Sequence, residues 1–386
     1  MAVNNEFDII IVGGGLVGSA FAADVLTHSP NKRILVIEAK KPELPENLPL
    51  DSKIYAVSPK NCEQFDKIGI LPDLSRIGTI EKMNIFGNAN GAIDFDSGEA
   101  YDGYLARLVE YSNLQKAIVT KLEEYPNLQM CYGQIVAIDN QATQVSVTMA
   151  DQNIYTGSLL VAADGGNSFV RKTIGFNSRQ IDYEQSGIVA NFSCERNHEN
   201  IAYQWFLGDS ILAFLPLPDQ KISIVWSISN PESLLGLSSE DFVRAVEEAS
   251  QNKLGKLRLI TLPQAFPLKL NLVEKCYKDR VVLIGDAFHT IHPLAGQGVN
   301  LGFGDAWELS GLIARVGIER LSQADLARYN YDRLFEVRKM QLTCHSLQRL
   351  FNNRSLAASY LRNLGLNLVN SIKPLKKILI NNAINY

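Results

Sequence analysis

An α/β chain is predicted, in which a doubly wound nucleotide-binding domain built from separate stretches is interrupted by a mainly antiparallel sheet and followed by a helical C-terminal region. Three observations predict it. The chain opens on a β-branched run, Phe7 to Val12, that ends in glycines, as a strand buried on both faces of a parallel sheet does. Residues 181 to 270 change to short alternating runs rich in aromatics. Parallel-sheet texture then returns in Arg280 to Asp286, ahead of a glycine-rich loop and a long helix.

Taken in order, Gly13-Gly14-Gly15-Leu16-Val17-Gly18 follows the first strand, and Ser19 to Leu26 supplies small and apolar residues suited to a helix lying on a sheet. Arg33 to Glu38 is a second buried strand, which completes a βαβ unit. A helix is expected from Ser58 to Ile68 and another over Leu105 to Leu122, then a hairpin from Val136 to Val147 around Asn140-Gln141. Gly157 to Gly165 reads as another buried strand running into a glycine turn. Tyr203, Trp205, Phe206, Phe214 and Trp226 lie in the antiparallel stretch, with two readings open, sheet core or substrate pocket.

Composition excludes several classes. With 386 residues, 46% hydrophobic and 20% charged, the chain can bury a large core, so disorder and disulfide scaffolds are not expected. A net charge of −4 argues against a nucleic-acid partner. The five cysteines are scattered singly, without metal-ligand spacing, and read as buried thiols of a reducing compartment. No cationic leader precedes the first strand and no apolar run reaches membrane-spanning length, so a cytoplasmic protein is expected, free or peripheral.

The C-terminal end departs from this balance. The final fifty residues hold no acid and eight basic side chains, with Leu361, Leu364, Leu368, Ile372, Leu375 and Leu379 at helical spacing. Residues 346–386 therefore read as basic amphipathic helices, which either pack on the nucleotide domain or also touch anionic lipid.

Three motifs carry the chemistry. Gly13, Gly15 and Gly18 sit between strand and helix, with Glu38 at the offset of a ribose-binding carboxylate; this Rossmann-like pattern fits FAD and NAD alike. Asp164-Gly165-Gly166-Asn167-Ser168-Phe169-Val170-Arg171 places an acid and glycines at a strand end. Gly285-Asp286-Ala287-Phe288-His289 is followed by a run from His292 to Asp305. Asp286 there can accept from a ribityl or ribose hydroxyl, Gly296 and Gly298 let backbone approach a flat ring, and a helix starting near Val299 aims its positive end at a reduced flavin.

In this order the motifs resemble the FAD-dependent aromatic hydroxylases of the para-hydroxybenzoate hydroxylase type. The run from His292 to Asp305 is similar, more narrowly, to their ubiquinone-biosynthesis branch, the 2-polyprenylphenol hydroxylases. The resemblance implies an FAD-binding domain over 1–75, 98–180 and 271–345, with a substrate domain over 76–97 and 181–270. It implies that Gly13, Gly15, Gly18 and Glu38 hold the ADP half of FAD and that Val136 lies against the adenine side. Asp286 would bind the ribityl or pyrophosphate region, Pro293, Gly296, Gln297, Gly298, Val299 and Asn300 would meet the flavin ring, and Asp164, Gly165 and Arg171 would serve FAD and reduced nicotinamide.

The chain departs from that pattern in two places. Lys53 stands where the family has an arginine, and a lysine lacks its fork of donors; Ser112 and Asn113 stand near the place of a second, for which Arg107 is the substitute. The implied reaction is hydroxylation of a polyprenylphenol ring through a flavin hydroperoxide, with O2 as co-substrate and NAD(P)H, NADPH among the candidates, as a transient donor. No catalytic side chain is assigned, and His289 and His292 read as loop residues. A hydroxylase of a small soluble aromatic, or a flavin-binding component of a biosynthetic complex without turnover, are the alternatives. Partners in view are the membrane surface, a ubiquinone-biosynthesis complex and a second copy of the chain.

Overall fold

The computed structural model describes residues 5–87, 91–99, 103–291 and 297–351, the last with side chains to Thr343. Its first sheet is centred on five parallel strands in the order Leu128–Tyr132, Ile34–Glu38, Glu6–Val12, Ile154–Ala162, Val281–Leu283. Ile9, Ile10 and Ile11 are fully buried, as the continuous apolar run requires. The hairpin Ile135–Asn140 and Val145–Met149 joins antiparallel to the start of Ile154–Ala162. The chain order reverses between Glu6–Val12 and Ile154–Ala162, and an open α/β sheet forms its ligand crevice beyond the carboxyl ends of such a pair. The turns after Val12 and Ala162 carry the first two motifs.

Helix Leu16–His28 packs on this sheet and against helix Gly298–Val316. Their close approach needs Gly302, where an added Cβ would come within 2.9 Å of Val17. The second sheet runs Leu257–Leu259, Ser178–Cys194, Lys221–Ile228, Ile211–Leu217, Ile201–Phe206, Lys82–Phe86, Ala92–Asp96, with Gln264–Val273 also pairing to Ser178–Cys194. It is antiparallel except between Ile201–Phe206 and Lys82–Phe86. One face packs under helix Ser239–Ala249 and takes Tyr203, Trp205, Phe214 and Trp226 into its core. Four of the five singled-out aromatics are thus framework, and Phe206 clusters separately with Ile211.

The expected helix over Leu105 to Leu122 is corrected. Ala106–Glu110 is a strand between Ile54–Val57 and Gly78–Ile80 in a third, three-stranded sheet, and the helix begins only at Tyr111. This small sheet joins the other two, since Leu215 and Leu217 of the large sheet pack with Ile54, Ala56 and Leu108.

Of the cysteines, Cys62, Cys194 and Cys276 are buried, Cys131 is only half-buried, and these four are free thiols. After Val316 the chain forms the 29-residue helix Gln323–Phe351; the rest of the expected amphipathic tail lies outside the described residues. Among the described residues no helix is long and apolar enough to cross a membrane.

Candidate active site

The glycines of the first turn are there for different reasons. Gly13 has φ of +106°, and a Cβ on it would lie 2.3 Å from the Ala163 carbonyl oxygen. A Cβ on Gly18 would lie 2.1 Å from the Gly13 carbonyl oxygen. Both are required by the fold. At Gly15 an added Cβ would meet nothing within 4 Å, so the fold leaves this glycine open toward the crevice.

Helix Leu16–His28 starts there with no side-chain cap, which leaves first-turn amides for an anion. Glu38 closes the turn, its carboxylate accepting from the Gly14 N–H at 2.7 Å and the Ala39 N–H at 2.8 Å. Gln115 donates to the Gly14 carbonyl at 2.9 Å while its buried Oε1 has no partner among the described residues. Gly133 donates to the Glu38 carbonyl at 3.0 Å, and Val136, just beyond, is exposed.

The second motif is a brace. Asp164 accepts from the Val170 N–H at 3.1 Å with one oxygen, and its other oxygen is buried without a partner among the described residues. Burial pushes this carboxyl up, against the bonds from Ser168 and Val170. Ser168 caps helix Phe169–Ile174, and Gly165 turns with φ of +79°. Arg171 is buried and donates to the Ala287 carbonyl at 2.8 Å and the Gly166 carbonyl at 2.6 Å. It therefore ties this loop to the third motif; burial lowers its pKa, with Asp164 opposing.

In the third motif, Asp286 is reachable by solvent yet walled by protein on most sides. That crowding pushes its carboxyl up, His289 opposes the shift and Asp305 adds to it. Beneath it, the fully buried Asp305 accepts from the Gly285 N–H at 2.9 Å, His289 Nε2 at 2.7 Å and Arg333 Nε at 2.7 Å. Burial alone would raise the Asp305 carboxyl, but His289 and Arg333 hold it below the usual range. His289 is thus a structural partner. Arg333 also donates to the Leu301 carbonyl, and the Tyr329 hydroxyl to the Asp305 carbonyl.

Among the described residues no side chain caps helix Gly298–Val316 at Gln297, so the amides of Gly298, Val299 and Asn300 in its first turn are available. The Asn300 side chain is occupied internally. It donates to the Ala56 carbonyl at 2.8 Å and to Gln297 Oε1 at 3.0 Å, and accepts from the Ser58 N–H at 2.9 Å and Asn61 Nδ2 at 3.0 Å. Pro293 and Gly296, with His292, lie outside the described residues.

Of the departures from the family pattern, Lys53 and Ser112 meet at Asp51, whose carboxylate accepts from both backbone N–H groups. Lys53 is exposed, with its ammonium 5.6 Å from the centroid of the Tyr111 ring. Arg107 lies over the Tyr104 ring at 5.0 Å, at the Val57 end of the pairing whose other end is Ile54–Glu110. Ser112 donates its N–H to Asp51 at 3.1 Å and Asn113 accepts from the Asp73 N–H at 2.9 Å, so both stabilise loops.

The face of the large sheet opposite helix Ser239–Ala249 looks toward this constellation. Asn191 donates to the Asp51 carbonyl at 2.8 Å, and by register Ser223, Leu215, Val225 and Ala213 share its face. Tyr55 lies close enough to feel Asp286; burial, then Asp286, pushes its pKa up to about 12, so the hydroxyl keeps its proton near neutrality. Among the described residues no cluster of histidine, cysteine and acids could hold a metal ion.

Sequence reasoning missed Gln115, Tyr55, Asp305 as an acceptor, and Arg333. The Leu114-Gln115 pair in helix Tyr111–Leu122 was the one available signal.

These residues fit an adenine dinucleotide bearing a flavin: open space at Gly15, unpartnered acceptors at Gln115 and Asp164, an accessible acid at Asp286 and an uncapped helix beside it. A family model described as an FAD binding domain matches residues 6–342. Ubiquinone hydroxylase UbiL of Rhodospirillum rubrum is 30% identical over 97% of this chain and 89% of its own length. The human mitochondrial ubiquinone biosynthesis monooxygenase COQ6 is 29% identical over 97% of this chain and 92% of its own. Among solved structures, p-nitrophenol 4-monooxygenase PnpA of Pseudomonas putida matches with a TM-score of 0.80 at 17% identity, covering 98% of this chain and 99% of that one. A variant of HpxO from Klebsiella pneumoniae, complexed with FAD, matches with a TM-score of 0.75 at 17% identity over 98% of each chain. Those two show the fold. The chain belongs to the FAD-dependent aromatic hydroxylase family, on the branch that serves ubiquinone biosynthesis.

Proposed function

We propose that this enzyme hydroxylates the ring of a polyprenylphenol held between the cofactor cradle and the face of the large sheet opposite helix Ser239–Ala249, with electrons from NAD(P)H and oxygen from O2. The observation that carries the substrate class is the row of half-buried apolar side chains at the edge of the contact between the sheets, Ala213, Leu215 and Val225 beside Ile54 and Ala56, together with an amphipathic C-terminal sequence free of acids.

In this reading Gly13 and Gly18 shape the turn, the backbone at Gly15 and the Glu38 carboxylate hold the ADP half, and Val136 flanks the adenine. Asp286 binds the ribityl region, and the amides of Gly298, Val299 and Asn300 face the ring. Arg171 acts as a positioning residue, through Ala287. Lys53, braced by Tyr111, supplies the positive charge of the missing arginine as a single point charge, and Arg107 stays with Tyr104. Gly165 leaves the backbone bare where nicotinamide would visit.

FAD, when bound, supplies the electron storage and oxygen activation. The chain's task is then to hold the phenol ring, exclude water and keep protons where they belong. Leu215, Ala213 and Val225 exclude water, the Asn191–Asp51 bond fixes the sheet to the cofactor side, and Tyr55 stays a neutral hydroxyl donor beside Asp286.

Substrate-stimulated oxygen uptake tests the reading. A vesicle-borne polyprenylphenol is expected to stimulate uptake and yield a hydroxylated ring, well above any water-soluble phenol. Preference for the soluble phenol would overturn the lipid substrate, and no stimulation by either would point to a component without turnover.

A further inference from the structure

The last described helix, Gln323–Phe351, has two unlike faces. Inward, Arg333 and Tyr329 bind Asp305 of helix Gly298–Val316, and Leu326, Val337 and Met340 are buried. Outward, Tyr331, Phe335 and Leu342 are 72%, 62% and 68% exposed, among the most exposed large apolar side chains of the described residues.

At roughly 100° per residue these three, with the exposed Arg328 and Arg338, fall within an arc of about 80°. Asp325, Asp332 and Glu336 lie outside that arc, and Glu336 is paired with Lys339 at 3.9 Å. The outward stripe is therefore aromatic and aliphatic, with Arg328, Arg338 and Lys339 along it and Asp332 the one exposed acid near its edge. A solvated face would not gather three large apolar groups in line.

We infer that this stripe is a docking surface for an anionic lipid bilayer, with Tyr331, Phe335 and Leu342 entering the headgroup boundary and Arg328 and Arg338 meeting lipid phosphates. Charge selects this occupant over the chain's own C-terminal end. The segment 352–386 holds five basic residues and no acid, so laying it on the stripe sets like charge against like. An anionic interface is complementary to both the arginines and the apolar row, and each basic group near such a surface contributes roughly 1 kcal/mol, about fivefold in binding. The inference deepens the lipid-substrate reading. It also sets the docking face on the helix that grips Asp305, directly behind the Asp286 loop.

The test is sedimentation of the FAD-loaded full chain with phosphatidylglycerol-containing vesicles and with phosphatidylcholine vesicles, which reads binding without hydroxylation. Wild type is expected to favour the anionic vesicles and to lose them as salt rises. Phe335→Asp with Leu342→Asp should cut binding at least tenfold, and Arg328→Glu with Arg338→Glu comparably, while flavin content is kept. Wild-type binding by the Phe335→Asp, Leu342→Asp variant would overturn the inference, as would equal wild-type binding to both vesicle types. A fall in that variant's solution mass would assign the stripe to self-association instead.

Discussion

The two ends of the proposed cofactor cradle, an adenine end at the first motif and a ring end at the third, are built on different principles. At the adenine end, backbone geometry does nearly everything: Gly13 and Gly18 are glycines because a Cβ would strike backbone oxygen at 2.3 and 2.1 Å, whereas a Cβ on Gly15 would meet nothing within 4 Å. At the ring end, buried side chains do the shaping. Asp305 holds both ends of the Asp286 loop through Gly285 and His289, Arg333 anchors Asp305 from a distant helix, and Arg171 reaches in from the second motif. Damage at the first end should therefore separate folding from binding cleanly. Damage at the second should mix them.

The largest expected effect is at the ring end. Asp305→Asn leaves Arg333 and His289 buried without their acid and should cost about 3–5 kcal/mol in denaturant unfolding, with weaker flavin retention. Next, Gly13→Ala forces both strain and backbone overlap, and a loss of about 1–3 kcal/mol or more is expected in the same assay. Gly15→Ala is its counterpart: stability should stay within about 0.5 kcal/mol of wild type while FAD affinity, read by fluorescence titration, falls at least tenfold. If both glycine variants lost stability alike, the division of labour in the turn would fail. Arg171→Leu leaves the Ala287 and Gly166 carbonyls without their donor and should cost about 2 kcal/mol, with FAD weakened too.

Acid gives a further handle on the same network. Because the folded pKa of Asp305 is depressed, its contribution is present above the ordinary carboxyl value and is lost as pH falls through the folded value. The stability gap between wild type and Asp305→Asn should hold steady near neutrality and narrow below about pH 4. The smallest effect is expected from Lys53→Met, about 0.5 kcal/mol for the contact with Tyr111, measured by thermal unfolding.

The same contrast explains what could be read in the sequence. The βαβ unit, the late parallel strand and the glycine turn follow from period and spacing, which are local. The helix expected over Leu105 to Leu122 fails because nothing local marks its start: Glu110 precedes the helix without a side-chain cap, and the strand Ala106–Glu110 exists through its partners on both sides. The alternation at Tyr203, Trp205 and Phe214 identified a common face, but only helix Ser239–Ala249 shows that it is the covered one. Asn300 and Arg171 sit in cofactor motifs with side chains turned to protein, which spacing cannot distinguish from side chains turned to ligand. Asp305 and Arg333 are 28 residues apart and meet only in the folded chain.

The most direct measurement is a single turnover. The FAD-loaded protein is reduced without oxygen, then mixed with oxygenated buffer and a short-chain polyprenylphenol in vesicles, and product is counted against flavin by mass spectrometry with labelled O2. One hydroxylated ring per flavin, carrying one labelled oxygen atom, is the expected result. Reoxidation that releases only peroxide and leaves the phenol unchanged would contradict the account.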